Sequence, residues 1–170
     1  MKIWRKTLGA SAALALVATT YLAVGEAEAT GVFHQIKNVN SNMCLQPEGA
    51  SAGVATIVQA RCNGGLAQAW LFQQISGSIY KVINQNSGRC MYMNGPVAPR
   101  SPIAQVGCGT FTNFWWEPLP GPVSVGILKS RAGSATNLCL DVPGGQSTEG
   151  LPVQTFTCNG TPAQAWVMGF

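Results

Sequence analysis

Charge is what this 170-residue chain lacks most: only 9% of its residues are Asp, Glu, Lys or Arg. Six acids and one histidine leave few groups for acid–base chemistry. The ten basic residues give a net charge of +4 but stand singly beyond residue 6. They form no patch suited to nucleic acid or to an anionic membrane surface. The chain has no Cys-x-x-Cys, no Gly-rich phosphate loop and no nucleophile elbow, which excludes the usual zinc, nucleotide and serine-hydrolase signatures and implies no cofactor. Beyond residue 29 no segment keeps a helical period for three turns, and no stretch there is apolar enough to span a bilayer. Disorder is excluded from the other side, because 46% of the residues are apolar and charge is scarce.

What the chain does have begins with an address. Lys2, Arg5 and Lys6 precede an uncharged Ala/Leu/Val-rich run from Leu8 to Val24, and Ala27-Glu28-Ala29 places small residues where a signal peptidase reads. Residues 1–29 are expected to be a secretory signal peptide cleaved before Thr30, the alternative being an uncleaved anchor. The expected mature chain, 30–170, keeps seven basic residues and four acids: Glu48, Glu117, Asp141 and Glu149. It also keeps all six cysteines, and in a secreted chain an even number reads as a disulfide framework.

The cysteines repeat. Cys44 and Cys62 are 18 residues apart, Cys90 and Cys108 are 18 apart, and Cys139 and Cys158 are 19 apart. Gln68-Ala69-Trp70, Asn113-Phe114-Trp115 and Gln164-Ala165-Trp166 follow the three pairs in turn. A period of this size marks internal repetition, with units at about 30–74, 75–120 and 121–170. The economical pairing is within units: Cys44–Cys62, Cys90–Cys108 and Cys139–Cys158. Strand-like alternation in 32–37 and 79–84, further short candidates at 56–60, 102–106, 123–128, 138–142, 152–156 and 166–170, and dense Asn/Gly/Pro punctuation predict about four strands per unit. The expected fold is all-β, closed or nearly so, with Trp70, Trp115 and Trp166 entering a shared core beside Leu45, Met91 and Leu140. His34 is expected to be an ordinary strand residue.

The run Cys139-Leu140-Asp141-Val142-Pro143-Gly144, then Val153-Gln154-Thr155-Phe156-Thr157-Cys158, then Gln164-Ala165-Trp166, resembles the ricin B-type β-trefoil lectins. It is similar too to the family 13 carbohydrate-binding modules. The threefold Gln-x-Trp carries the resemblance, with Asn113 standing where the second glutamine belongs. The resemblance implies a β-trefoil that binds galactose- or xylose-type sugars in a shallow pocket on each unit. The family's carboxylate two residues past the first cysteine falls on Gln46, Tyr92 and Asp141; its ring two residues before the second cysteine falls on Ala60, Val106 and Phe156. Its amide four residues before that cysteine falls on Val58, Ala104 and Gln154, and its asparagine before Gln-x-Trp falls on Ala67, Thr112 and Ala163. The resemblance therefore implies one principal sugar site, in the third unit, built from Asp141, Gln154, Phe156 and Gln164. Asn159 or Asn137 could supply the missing amide. Bland alternatives stand beside these roles: Asp141 as a turn residue before Val142-Pro143-Gly144-Gly145, Phe156 as a half-buried strand residue, Gln68 and Gln164 as holders of backbone groups.

Glycoside hydrolysis usually needs two carboxylates in one pocket, and Asp141 with Glu149 is the only pair within one unit. The expectation is thus a secreted, non-enzymatic sugar-binding protein. The second reading is a trefoil that binds a separately encoded protein partner, as protease inhibitors and toxin targeting subunits do. Gly109-Thr110-Phe111, Trp115-Trp116 and Met91-Tyr92-Met93 are the segments that would suit it.

Overall fold

A computed structural model describes residues 31–120, 125–133 and 137–169. The signal-peptide reading lies outside them. Thirteen strands, every pairing antiparallel, make one continuous sheet. They are β1 (Phe33–Gln35), β2 (Lys37–Asn38), β3 (Cys44–Pro47), β4 (Ala55–Ala60), β5 (Ala69–Ser76), β6 (Ile79–Asn84), β7 (Cys90–Met93), β8 (Ile103–Val106), β9 (Trp116–Pro120), β10 (Val125–Ser130), β11 (Leu138–Asp141), β12 (Gln154–Thr157) and β13 (Trp166–Val167).

Only Ile36, wholly buried, separates β1 from β2, so the two act as one interrupted strand. With that allowance each unit contributes four strands. The pairings β1–β5, β5–β6, β6–β9, β9–β10, β10–β13 and β13–β2 close a ring, which removes the exposed edges of an open sheet. The remaining strands form three hairpins, β3–β4, β7–β8 and β11–β12, that lie against one another through β4–β8 and the bridges Val58–Pro152 and Pro102–Gln154. A closed ring capped by three hairpins is the β-trefoil-like arrangement.

One disulfide closes each hairpin: Cys44–Cys62, Cys90–Cys108 and Cys139–Cys158, with Cα separations of 5.1, 4.9 and 5.1 Å. No described cysteine is free. In the chain-entropy model each loop is worth about 3 kcal/mol against the unfolded state.

The core is built from the same positions three times. Leu45, Met91 and Leu140 are wholly buried beside Trp70, Trp116 and Trp166. Each indole Nε1 donates to the backbone oxygen of its own unit's partner: Trp70 to Leu45 at 3.1 Å, Trp116 to Met91 at 3.2 Å and Trp166 to Leu140 at 3.0 Å. This corrects the expectation for the second unit, where the core tryptophan is Trp116 and not Trp115. Trp115 is half-buried outside the core cluster. Met91 and Met93 also belong to the core, which removes them as a docking surface, whereas Phe111 is 74% exposed. His34 lies in β1, as expected of a strand residue.

Buried amides and a hydroxyl join the units. Asn38 of the first unit donates to the carbonyls of Ala163 and Ala165 of the third, and Asn84 of the second donates to Ala67 of the first. One face further out, the buried residue three places before each second cysteine holds a loop of another unit. Gln59 donates to Gln146 and Thr148, Gln105 to Ser51 and Gly53, and Thr155 gives its hydroxyl proton to Ala98 and its N–H to Ser101. Each is a polar group with no exposed surface, and these bonds offset the cost of burying its donor, although the Gln59 Oε1 has no partner among the described residues.

Candidate functional site

Short 3-10 turns at Leu66–Gln68, Thr112–Phe114 and Pro162–Gln164 precede the core tryptophans and set one side chain per unit against the end of its hairpin. Gln68 accepts from the Asn63 backbone N–H at 2.8 Å and donates to the Arg61 carbonyl at 2.8 Å and to Gln46 Oε1 at 2.9 Å. Gln164 repeats the pattern. It accepts from Asn159 N–H at 2.9 Å and donates to the Thr157 carbonyl at 2.9 Å and to Asp141 Oδ2 at 3.2 Å. In the second unit the equivalent pair is aromatic, Phe114 against Tyr92, with ring centroids 4.7 Å apart. The glutamine position there is thus Phe114, not Asn113, whose amide instead donates to the Met93 carbonyl. Spacing could have shown this: Gln68, Phe114 and Gln164 each lie six residues past the second cysteine of their unit.

Asp141, at the end of β11, is only 5% exposed. Strand register sets it directly opposite Gln154 on β12, whose Nε2 donates to Oδ1 at 2.8 Å. Both carboxylate oxygens therefore rest on side-chain amides rather than on the following turn. That turn is closed by its own backbone, Gly145 N–H to the Val142 carbonyl. Burial pushes the Asp141 carboxyl above its ordinary 3.8, and the two amide donors pull it part of the way back.

The carboxylate opens into a cleft of about 650 Å³ on the third unit. Gln154 and Phe156 project into it from β12, with Val142 to Gly145 on one side and Asn159, Thr161, Pro162 and Ala163 on another. Of the four residues implied for the site, Asp141, Gln154 and Phe156 line the cleft. Gln164 lies behind Asp141, fully buried, and orients it. A carboxylate has about four lone-pair directions, so two amide donors leave acceptor capacity for sugar-type hydroxyls. Ala163 lines the cleft with a methyl group where the resemblance implied an amide. Of the suggested substitutes Asn159 is present, its Oδ1 already taken by Thr161, and Asn137 is not part of the lining.

Two lining residues escape a unit-by-unit reading because they come from other units. Asn40, of the first, donates to the Gly145 carbonyl at 2.5 Å; Arg100, of the second, sits over the Phe156 ring, 6.0 Å from its centroid. The corresponding places in the first two hairpins carry no carboxylate. Gln46 faces Val58, and Tyr92 faces Ala104. Among the described residues no three His, Cys, Asp or Glu side chains come together in a way that could hold a metal ion, and no helix there is long and apolar enough to cross a membrane.

A family model described as ricin-type beta-trefoil lectin domain-like matches residues 21–106. No curated protein matches significantly. Among solved structures, the designed threefold-symmetric protein ThreeFoil superimposes with a TM-score of 0.75 at 20% identity, over 80% of this chain and 96% of its own. The Macrolepiota procera ricin B-like lectin, solved with lactose, gives 0.69 at 22% identity over 83% and 96%. The C-terminal half of the earthworm R-type lectin, solved with GalNAc, gives 0.65 at 15% identity over 81% and 97%. At such identities the likeness is one of fold.

Proposed function

Since the chain belongs to the ricin-type β-trefoil lectin-like family, we propose that it is a secreted, non-catalytic carbohydrate-binding protein with one principal site, on the third unit, for galactose- or xylose-type glycans. The observation that carries this reading is Asp141. A buried, amide-braced carboxylate at the floor of an open cleft is held ready to accept hydrogen bonds from neighbouring sugar hydroxyls. Phe156 offers a ring face for the apolar side of a pyranose, and Gln154 both braces the carboxylate and presents an amide to the ligand. Gln164 is a positioning residue, set behind the carboxylate.

The lining of the cleft supports the non-catalytic reading. Asp141 is its only carboxylate, whereas glycoside hydrolysis usually uses two acids in one cleft. Glu149 points elsewhere and pairs with Arg61 at 3.3 Å. Extracellular export rests on the leader-like first 29 residues and on three disulfides that persist in oxidising compartments.

The test is a glycan screen of the mature protein beside Asp141→Ala. The expected result is binding by the parent and a loss of roughly 30-fold or more in the variant, since two charge-assisted hydrogen bonds disappear. Absence of binding by the parent across neutral and acidic glycans would reject the lectin reading in favour of the protein-partner alternative, for which the exposed Phe111 is the first place to look.

A further inference from the structure

Arg100 is an unusual residue for its position. Its φ is +70°, in the left-handed region where a β-carbon is unfavourable. The same place in the third unit is Gly150, with φ +80°. The two are matched by their bonding as well as by their conformation. Gly150 N–H donates to the carbonyl of Gln59 at 2.9 Å, and Arg100 N–H donates to the carbonyl of Thr155 at 2.6 Å. The second unit therefore carries the largest basic side chain where the backbone favours glycine.

The turn that bears Arg100 is gripped by the third unit. Thr155 is wholly buried, its hydroxyl donates to the Ala98 carbonyl at 3.0 Å, and its N–H donates to the Ser101 carbonyl at 2.9 Å. Alternation along β12 puts its neighbours, Gln154 and Phe156, on the opposite face, in the cleft. One strand thus supplies two cleft residues and, between them, the clamp that brings Arg100 to the same cleft. The guanidinium pairs with no carboxylate among the described residues and lies above the Phe156 ring. The lining holds one anion, Asp141, set deep, and one cation, Arg100, exposed at the margin.

We propose that the site is composite and selects a sugar bearing an anionic substituent, a carboxylate or a sulfate ester, which Arg100 receives across the unit boundary while Asp141 takes neutral hydroxyls. This rests on the sugar-binding reading above. A planar guanidinium offers paired donors that match a carboxylate or sulfate oxygen pair. For neutral hydroxyls the cleft already has amides in Gln154, Asn40 and Asn159.

The experiment measures binding of the mature protein to three probes: a neutral galacto-oligosaccharide, an oligogalacturonate and a sulfated galacto-oligosaccharide. Arg100→Gly is the matched variant, because glycine suits this φ and removes the guanidinium without disturbing the turn. The parent should prefer one or both acidic probes by about tenfold, the scale of one charge-assisted hydrogen bond at an exposed margin. Which acidic probe wins identifies carboxylate or sulfate. Arg100→Gly should lose that preference, its affinity for the acidic probes falling to its own affinity for the neutral one, and should melt no lower than the parent. Equal or better binding of the neutral probe by the parent overturns the proposal and leaves the lectin reading standing. An acidic preference that survives in Arg100→Gly also overturns it. Binding of none of the three overturns the proposal, while the lectin reading falls only if the wider screen, xylose-type glycans included, is negative too.

Discussion

Replacing Gln164 and Gln68 separately by methionine tests whether the two glutamines share one structural job while only one serves a site. Methionine keeps the volume and apolar stem of glutamine and removes both polar ends. Gln164→Met leaves the Asn159 N–H, the Thr157 carbonyl and Asp141 Oδ2 each short of one bond. Gln68→Met leaves the Asn63 N–H, the Arg61 carbonyl and Gln46 Oε1 in the same condition. The backbone groups concerned lie on partly exposed loops, so water recovers some of the loss. About 1 kcal/mol per bond, the usual net value, gives roughly 2–3 kcal/mol for each variant. For a chain of this size that is a fall of about 6–12 °C in melting temperature, read by circular dichroism or calorimetry. Calorimetric titration with the best glycan from the screen supplies the second readout. Gln164→Met should weaken binding several-fold, because Asp141 loses one of its two braces, and Gln68→Met should leave binding unchanged. An unaltered melt for either variant would refute the loop-holding role, and equal weakening by both would refute the single-site assignment.

The raised Asp141 pKa makes binding and stability respond oppositely to acid. The native state holds its proton more readily than the unfolded chain, so between the ordinary 3.8 and the raised native value folding takes up protons. This group's contribution to stability therefore falls as pH rises through that window and is regained on acidification, whereas glycan affinity falls as pH drops through the native pKa. Titrations of melt and binding against Asp141→Asn, which should flatten both contributions, check the two signs. Trp116→Ala should destabilise by about 3–5 kcal/mol and Trp115→Ala by less than about 2, measured by urea unfolding, because only Trp116 is fully enclosed. The reverse order would restore Trp115 to the core.

The cysteine spacing made the three units and their bridges legible because a disulfide ties positions at a fixed separation whatever the rest of the hairpin does. The strand at Ile79–Asn84 was equally plain, with Val82 and Asn84 buried on one face and Ile79, Lys81 and Ile83 half-buried on the other. β9 was not, since Pro118 and Pro120 punctuate it and argue against a strand, yet it pairs with both β6 and β10. The second tryptophan was misassigned for a chemical reason. Where the first and third units pair two polar side chains, the second pairs Tyr92 with Phe114. The amide that marks the motif had gone, and the adjacent Asn113 stood in for it in the sequence. In the site, Asp141, Gln154 and Phe156 could be placed by counting from the cysteines, because register on β11 and β12 follows the bridge. Arg100 and Asn40 could not, since nothing local ties them to the third unit.

That failure has a structural cause which also bears on how a symmetrical fold carries an asymmetric site. The first unit's Gln59 holds a loop of the third, the second unit's Gln105 holds a loop of the first, and the third unit's Thr155 holds a loop of the second. The clamps run in one direction around the threefold arrangement, so each unit's hairpin sits beside a turn that belongs to another. The tryptophan anchors, disulfides and clamps do not depend on a carboxylate at any cleft position. Gln46 and Tyr92 can therefore replace it in two units without weakening the frame. The cleft on the third unit is completed by a turn borrowed from another, so the chemistry of that turn is free to differ while the hairpin keeps its pattern. On the third unit the borrowed turn brings Arg100 over Phe156, into the cleft that Asp141 lines, so that the lining is drawn from more than one unit.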